Sequence, residues 1–350
     1  MPGPPPAKKT PYPLGKLPTE HLARLLARHT PSDERIILGP GVGRDAAVIS
    51  FGTPVHEGTG HCLVAKTDPI TFASDEIGWY AVHVNANDIA CTGATVRWFL
   101  ATLLLPQSHT DAALVDTIFD QIADACAELN VGLVGGHTEI THGIDRPIVV
   151  GCMLGEVALE RLVRPDRIQS GDVLLVTKGI AVEGTAIIAR EKASELSGFS
   201  KSFLERCQGF LYDPGISVVR DAAVATTAGE VHAMHDPTEG GLATGLWELA
   251  EAAGVGLVVD ESAIPILPET QALCARLELD PLGLIASGTL LLAVAPMDVA
   301  PILGALEEAN IATARIGVVV GQGPNVVLRN TAGERPLPRF ERDEIARLFE

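Results

Sequence analysis

Five short segments of the chain hold residue types suited to phosphate and divalent-metal chemistry. Gly39-Pro40-Gly41-Val42-Gly43-Arg44-Asp45 sets three glycines among five residues just before an acid. Backbone without Cβ atoms lets N–H groups come close to an anion, as phosphate loops require. The alternative is a surface turn before a strand. Gly41, Gly43 and Ala46 match the spacing of a dinucleotide fingerprint, but that fingerprint must open a helix, and AAVISF is β-like. No G-x-x-x-x-G-K-[ST] phosphate loop occurs. Lys66-Thr67-Asp68-Pro69 closes an apolar strand, where Asp68 either forms a turn through its own side chain or offers a carboxylate to a metal.

The third segment, NANDIACTGA, lies in an expected helix over Asp75–Cys91, with Ser74 as N-cap and Gly93 just beyond the C-terminus. Steps of four and three align Ile77, Ala81, Val84, Asp88 and Cys91 on one face. A carboxylate inside an apolar stripe costs several kcal/mol unless partnered, so Asp88 requires a cation, a donor cluster or a metal. Asn85 and Asn87 add polar groups to the same turn. The fourth, Gly135-Gly136-His137-Thr138-Glu139, follows the apolar run Val131–Val134 and is expected as a loop. Its His137 is either solvated or a contact to metal or phosphate. In the fifth, His235-Asp236-Pro237-Thr238-Glu239-Gly240-Gly241, Asp236 suits an N-cap, Pro237 the N1 position and Glu239 a capping box. Gly240 and Gly241 weaken a first helical turn by about 1 kcal/mol each, which makes sense where an anion must approach the exposed N–H groups.

The 350 residues carry 26 basic and 44 acidic side chains, a formal charge of −18. That balance disfavours nucleic acid and anionic membranes as partners, and it prevents side-chain charge alone from holding a polyphosphate. Mg²⁺ resolves the conflict by taking carboxylate and phosphate oxygens in one shell, with Asp45, Asp68 and Asp88 as natural ligands. The sequence is 47% hydrophobic and only 4% aromatic, so the expected core is aliphatic. Six scattered cysteines show no zinc or redox spacing and are expected as buried thiols in a reducing compartment. No apolar run long enough to span a membrane and no signal-peptide core is present, so a cytoplasmic location is expected.

The elements that must position these residues alternate between strand and helix. A proline-rich, locally basic arm and short helix starting at Thr19 occupy residues 1–35. Strands are expected at Ala46–Phe51, Cys62–Lys66, Val96–Leu105, Val131–Gly135 and Pro147–Val157, with a second helix at Asp111–Leu129. The polar segment Leu162–Gly171 marks a boundary after a domain spanning 36–161. A second domain over 162–335 repeats the alternation, with a helix at Gly215–Thr227 and another at Gly241–Ala253, and a tail helix closes residues 336–350. Two successive α+β domains with mixed sheets fit this order better than one parallel sheet.

Taken in order, GVGRDAAVI, KTDP, NANDIACTGA, GGHTE and HDPTEGGLA resemble the PurM-like superfamily of aminoimidazole ribonucleotide (AIR) synthase, thiamine-monophosphate kinase, selenophosphate synthetase and HypE. LWELAEAAGVGL and ASGTLLLAV bring the HypE hydrogenase-maturation branch nearest. The resemblance implies an α/β (α+β) fold with an N-terminal mixed-sheet domain that pairs strands across a homodimer. It implies ATP with Mg²⁺ in a cleft: Asp45, Asp68 and Asp88 on metal and phosphates, Asp236 facing them. Gly41, Gly43, Lys66, Thr67, Asn87, Gly135, Gly136, Gly240 and Gly241 would contact nucleotide, with His137 and His235 as candidate proton-transfer groups. It further implies activation of an oxygen of a small or carbamoyl-type acceptor, or service to a maturation partner protein. Three departures stand out: His137 and Arg44 occupy positions often acidic, and the sequence given ends Leu348-Phe349-Glu350 where HypE carries a cysteine. The usual HypE reaction is therefore not expected here, and the absence of a cysteine before the first glycine loop disfavours selenophosphate synthesis.

Overall fold

The computed structural model describes residues 17, 19–29, 33–41, 44–51, 60–71 and 73–349. Gly43, expected in the phosphate loop, lies outside them. Helix α1 (Thr19–His29) precedes strands β1 (Ile36–Leu38), β2 (Ala47–Phe51) and β3 (His61–Ile70). Helix α2 (Ile77–Ala90), β4 (Thr95–Pro106), α3 (Ala112–Glu128), β5 (Gly132–Thr141) and β6 (Ile148–Ala158) complete the first domain. Its sheet runs β1-β2-β3-β6-β4-β5. Only β4 and β5 pair in parallel, because α3 carries the chain back across the sheet between them. Asp111 starts α3 by accepting the Leu114 N–H at 2.9 Å. β5 is the free edge, exposed from Gly132 to Ile140.

The second domain runs through β7 (Val173–Thr177), α4 (Val182–Glu191), α5 (Lys201–Gly209), α6 (Val219–Ala228), β8 (Val231–His235), α7 (Gly241–Ala253) and β9 (Val255–Asp260). It continues with α8 (Pro268–Leu277), β10 (Leu291–Val294), α9 (Val299–Glu308), β11 (Thr313–Gln322), β12 (Asn325–Asn330) and β13 (Gly333–Pro336). The sheet order is β13-β12-β9-β11-β7-β10-β8. Helices cover both faces, which is why VLLVT and LLAV are continuously apolar rather than alternating. Leu174 and Val176 pack toward α7, whereas Val173 and Leu175 pack toward α6 and α9. Helices α4, α5 and α8 share one buried cluster with α2 and the first sheet, so the two domains join through a common core.

Several boundaries differ from the sequence expectation. GGHTE is not a loop: it continues β5, held by the parallel ladder to β4. Ser74 does not cap α2; its N–H and hydroxyl both donate to Glu191 Oε1 at 3.0 Å, and the helix starts after Glu76 in a left-handed conformation. The helix expected at Gly215 begins at Val219, and the tail holds only a short 3-10 turn at Glu344–Leu348. Strands β1 and β13 and helices α5 and α8 had no expected counterpart. No helix among the described residues is long and apolar enough to cross a membrane.

Candidate functional site

A cleft of about 610 Å³ opens between the domains. Strand alternation in β3 turns Lys66 and Asp68 into it and sends Thr67 to the opposite side. There the Thr67 hydroxyl donates to Gly151 O at 2.7 Å, so Thr67 does not line the cleft. Asp88, 4% exposed, enters from α2, and Lys66 Nζ lies 3.2 Å from Asp88 Oδ2 and 3.1 Å from Asp68 Oδ2. The cation that the apolar stripe demanded is thus Lys66. Asn85 fixes β3 beside it: Oδ1 accepts the Asp68 N–H at 2.8 Å and Nδ2 donates to Asp68 O at 3.2 Å. Asn87 points away from the cleft. Its Nδ2 donates to Ile216 O and its Oδ1 accepts from Val218 N–H, both at 2.8 Å, which corrects its expected role as a nucleotide contact. Helix α2 is buried nearly all round, not on one stripe alone.

The second wall begins where β8 ends. His235 Nδ1 lies 2.8 Å from Asp45 Oδ1, and its Nε2 lies 3.0 Å from Glu248 Oε2. Both ring nitrogens are engaged, so His235 positions Asp45 and is not a free base. Asp236, 1% exposed, receives the Cys91 thiol at 3.5 Å on Oδ1, while Oδ2 has no hydrogen-bond partner among the described residues. Asp236 does not cap α7; Gly240 does so in a left-handed conformation. The Gly240 N–H donates to Asp343 Oδ2 at 2.6 Å and the Gly241 N–H to Thr238 O at 3.0 Å. The anion at this helix start is therefore the chain's own Asp343. The glycines answer a steric need: a Cβ at Gly241 would lie 2.5 Å from Leu282 O and 2.6 Å from Leu284 O.

Gly41, Arg44 and Asp45 also line the cleft, Arg44 donating to Gly39 O at 3.1 Å. Gly135, Gly136 and His137 do not. They lie on exposed β5, with His137 Nε2 3.6 Å from Glu139 Oε2. Sequence patterning gave no signal for Glu183, because an acid in a first helical turn reads as a solvated partner of the helix dipole. In the structure Glu183 is 4% exposed, lines the cleft, and accepts the Ser287 N–H at 3.1 Å.

Protonation follows from this crowding. Burial pushes the Asp88 carboxyl well above its usual range against the pull of Lys66, and neighbouring Asp236 and Asp45 add to the rise. Burial, then Asp45, lifts Asp236 to about 7. Burial works against a charged Lys66, but Asp88, Asp68 and Asp45 outweigh it and hold the ammonium protonated. His235 is likewise kept charged, since Asp45 and Glu248 overcome its desolvation. Burial raises the Cys91 thiol well above its ordinary value, with Asp236 next in effect. Seven acids (Asp45, Asp68, Asp88, Glu183, Asp236, Glu239 and Glu248) line the cleft against Arg44, Lys66, Arg146 and His235. A divalent cation fits this donor set, and the orphaned Asp236 oxygen is an observed vacancy in its hydrogen bonding.

Two family models cover most of the chain: AIR synthase related protein, N-terminal domain, over 43–157, and AIR synthase related protein, C-terminal domain, over 169–329. The chain belongs to the AIR synthase related family. It is 31% identical over 240 residues to the carbamoyl dehydratase HypE of Rhodobacter capsulatus, covering 68% of this chain and 67% of that one. A putative hydrogenase expression/formation protein of Methanocaldococcus jannaschii is 28% identical over 307 residues, or 84% and 87% of the two chains. The crystal structure of hydrogenase maturation protein HypE in complex with ATP superposes with a TM-score of 0.69 at 24% identity, over 92% of this chain and 95% of that one. The chain is thus HypE-like, with the two-domain mixed-sheet fold of that group.

Proposed function

We propose that this chain is a Mg²⁺-dependent, ATP-binding enzyme of HypE type that uses ATP to activate an oxygen of a small or carbamoyl-type acceptor. The observation that carries this is the convergence of Asp45, Asp68, Asp88 and Asp236 with Lys66 around one cleft. Mg²⁺ would be held by Asp45, Asp68 and Asp88, with Asp236 facing it from the second domain, and it would neutralise phosphate charge that the acidic walls otherwise repel. Lys66 keeps Asp68 and Asp88 together, and His235 fixes Asp45, so the ligand oxygens are oriented in advance. Lys66, a half-buried cation beside Asp68 and Asp88, would also contact phosphate oxygen. The ATP present in the HypE relative supports the nucleotide assignment.

Two copies pairing through the free edge β5 form part of this proposal. Leu133, Val134 and Ile140 are 43%, 56% and 59% exposed there, an apolar surface suited to a like partner. A second reading, a maturation or assembly protein that binds ATP without turnover, draws on the want of a free base: His235 is held at both nitrogens and His137 is outside the cleft. A third reading, transfer to a small phosphomonoester as by a thiamine-monophosphate kinase, would draw on Arg44 and Arg146, which line the cleft among its acids.

Calorimetry with Mg·ATP tests the proposal. Asp88→Asn is expected to weaken binding tenfold or more, the loss of a metal ligand, and unchanged affinity in a folded variant removes Asp88 from the site. Phosphate release across carbamoyl, amidine and phosphomonoester acceptors then separates turnover from binding alone.

A further inference from the structure

We propose that Asp45, Cys91 and Asp236 form a site of two carboxylates and one thiolate that takes a thiophilic divalent cation of the Zn²⁺ or Co²⁺ class. The proposal rests on the cation reading above and places a second, sulfur-containing position beside it that shares Asp45. One donor atom from each of the three residues lies within 4.8 Å of the others. Cys91 Sγ and Asp236 Oδ1 are 3.5 Å apart, and tetrahedral coordination with metal–oxygen bonds of about 2.0 Å and metal–sulfur bonds of about 2.3 Å separates ligands by roughly that distance.

Three elements bring the donors together. Cys91 ends α2 one turn beyond Asp88, Asp236 follows β8, and Asp45 precedes β2. A thiol-to-carboxylate hydrogen bond accounts for one oxygen of Asp236 but leaves the other buried and unpartnered. A cation between the three residues, bound by both oxygens of Asp236, satisfies it. His235 fastening Asp45 is the kind of outer contact that orients a metal-binding carboxylate. Lys66 meanwhile engages Asp68 and Asp88, which lie outside the group that contains the sulfur. Mg²⁺ favours octahedral oxygen, whereas a thiolate selects softer ions. As the sulfur–metal bond forms, the thiol proton leaves to solvent.

The test is titration of the metal-free full chain with Co²⁺ under reducing conditions. The expected result is intense visible ligand-field absorption with a near-ultraviolet sulfur-to-cobalt charge-transfer band that saturates stoichiometrically. Cys91→Ser should abolish the band and weaken Co²⁺ binding about tenfold or more. Weak absorption without a sulfur band, or a band that persists in folded Cys91→Ser, overturns the proposal. If Cys91→Ser does not fold, X-ray absorption of the Zn²⁺-loaded wild type decides: a sulfur neighbour supports the site, and a shell of oxygen and nitrogen alone overturns it. Mg·ATP calorimetry on the same protein judges the nucleotide assignment separately, since sulfur ligation without ATP binding defeats only the latter.

Discussion

Two glycine pairs, each within three residues of an acid, have opposite fates. Gly135-Gly136 runs along an exposed sheet edge, whereas Gly240-Gly241 is folded beneath the cleft. Neither pair holds its N–H groups open toward the cleft. Gly136 is required because a Cβ there would lie 1.9 Å from Ala101 O, and Gly241 because it abuts the carbonyls of Leu282 and Leu284. Paired glycines here mark close backbone approach, and the ligand chemistry comes from acids that strand and helix geometry turns inward.

The strongest way to break that contrast is to substitute neighbouring glycines on the edge. Gly136→Ala should cost about 4 kcal/mol or more in denaturant unfolding, through the clash with Ala101 O. Gly135→Ala, whose Cβ would find nothing nearer than Leu100 Cδ2 at 3.8 Å, should stay within about 0.5 kcal/mol. Equal losses would show that the edge strand is not packed as described.

A somewhat smaller effect separates the buried cleft from the exposed edge. Burial raises Glu183 to about 7 against the opposing Ser287 hydrogen bond. Between the ordinary glutamate value and that point the folded chain keeps a proton that the unfolded chain has released. Stability should therefore fall as pH rises through this window, by about 3 kcal/mol in total. Glu183→Gln should flatten that part of the pH profile in thermal or denaturant unfolding. A slope that persists in the variant assigns it to another group.

The smallest effect belongs to the edge surface. Ile140→Lys, at a position 59% exposed, should leave monomer stability within about 0.5 kcal/mol. It should nevertheless weaken self-association tenfold or more in sedimentation or light scattering, because the lysine charge would lie in the apolar face proposed to meet a second copy. Undiminished association moves the contact elsewhere.

Periodicity carried far where an element met a single environment. The α2 stripe predicted that Asp88 needs a partner, and Lys66 is that partner at 3.2 Å. Alternation along β3 could have separated Thr67 from Lys66 and Asp68, a period-two argument available from KTDP itself. Other features depended on contacts far along the chain. Asn87 is spoken for by backbone 129 and 131 residues away, and Gly240 by a carboxylate 103 residues away. No local pattern announces such partners. Helix α8 did carry a legible start in Pro268 with Glu269 behind it, whereas α5 mixes charges and apolar residues too evenly to show a clear face.

The two Asn87 hydrogen bonds rivet the helix supplying Asp88 to the domain supplying Asp236. Scissoring of the halves would tear both and strand buried donors and acceptors without replacements. Any shift of Asp88 relative to Asp236 at this seam therefore carries the cost of two buried hydrogen bonds, and the spacing of the two walls is built in before a guest arrives.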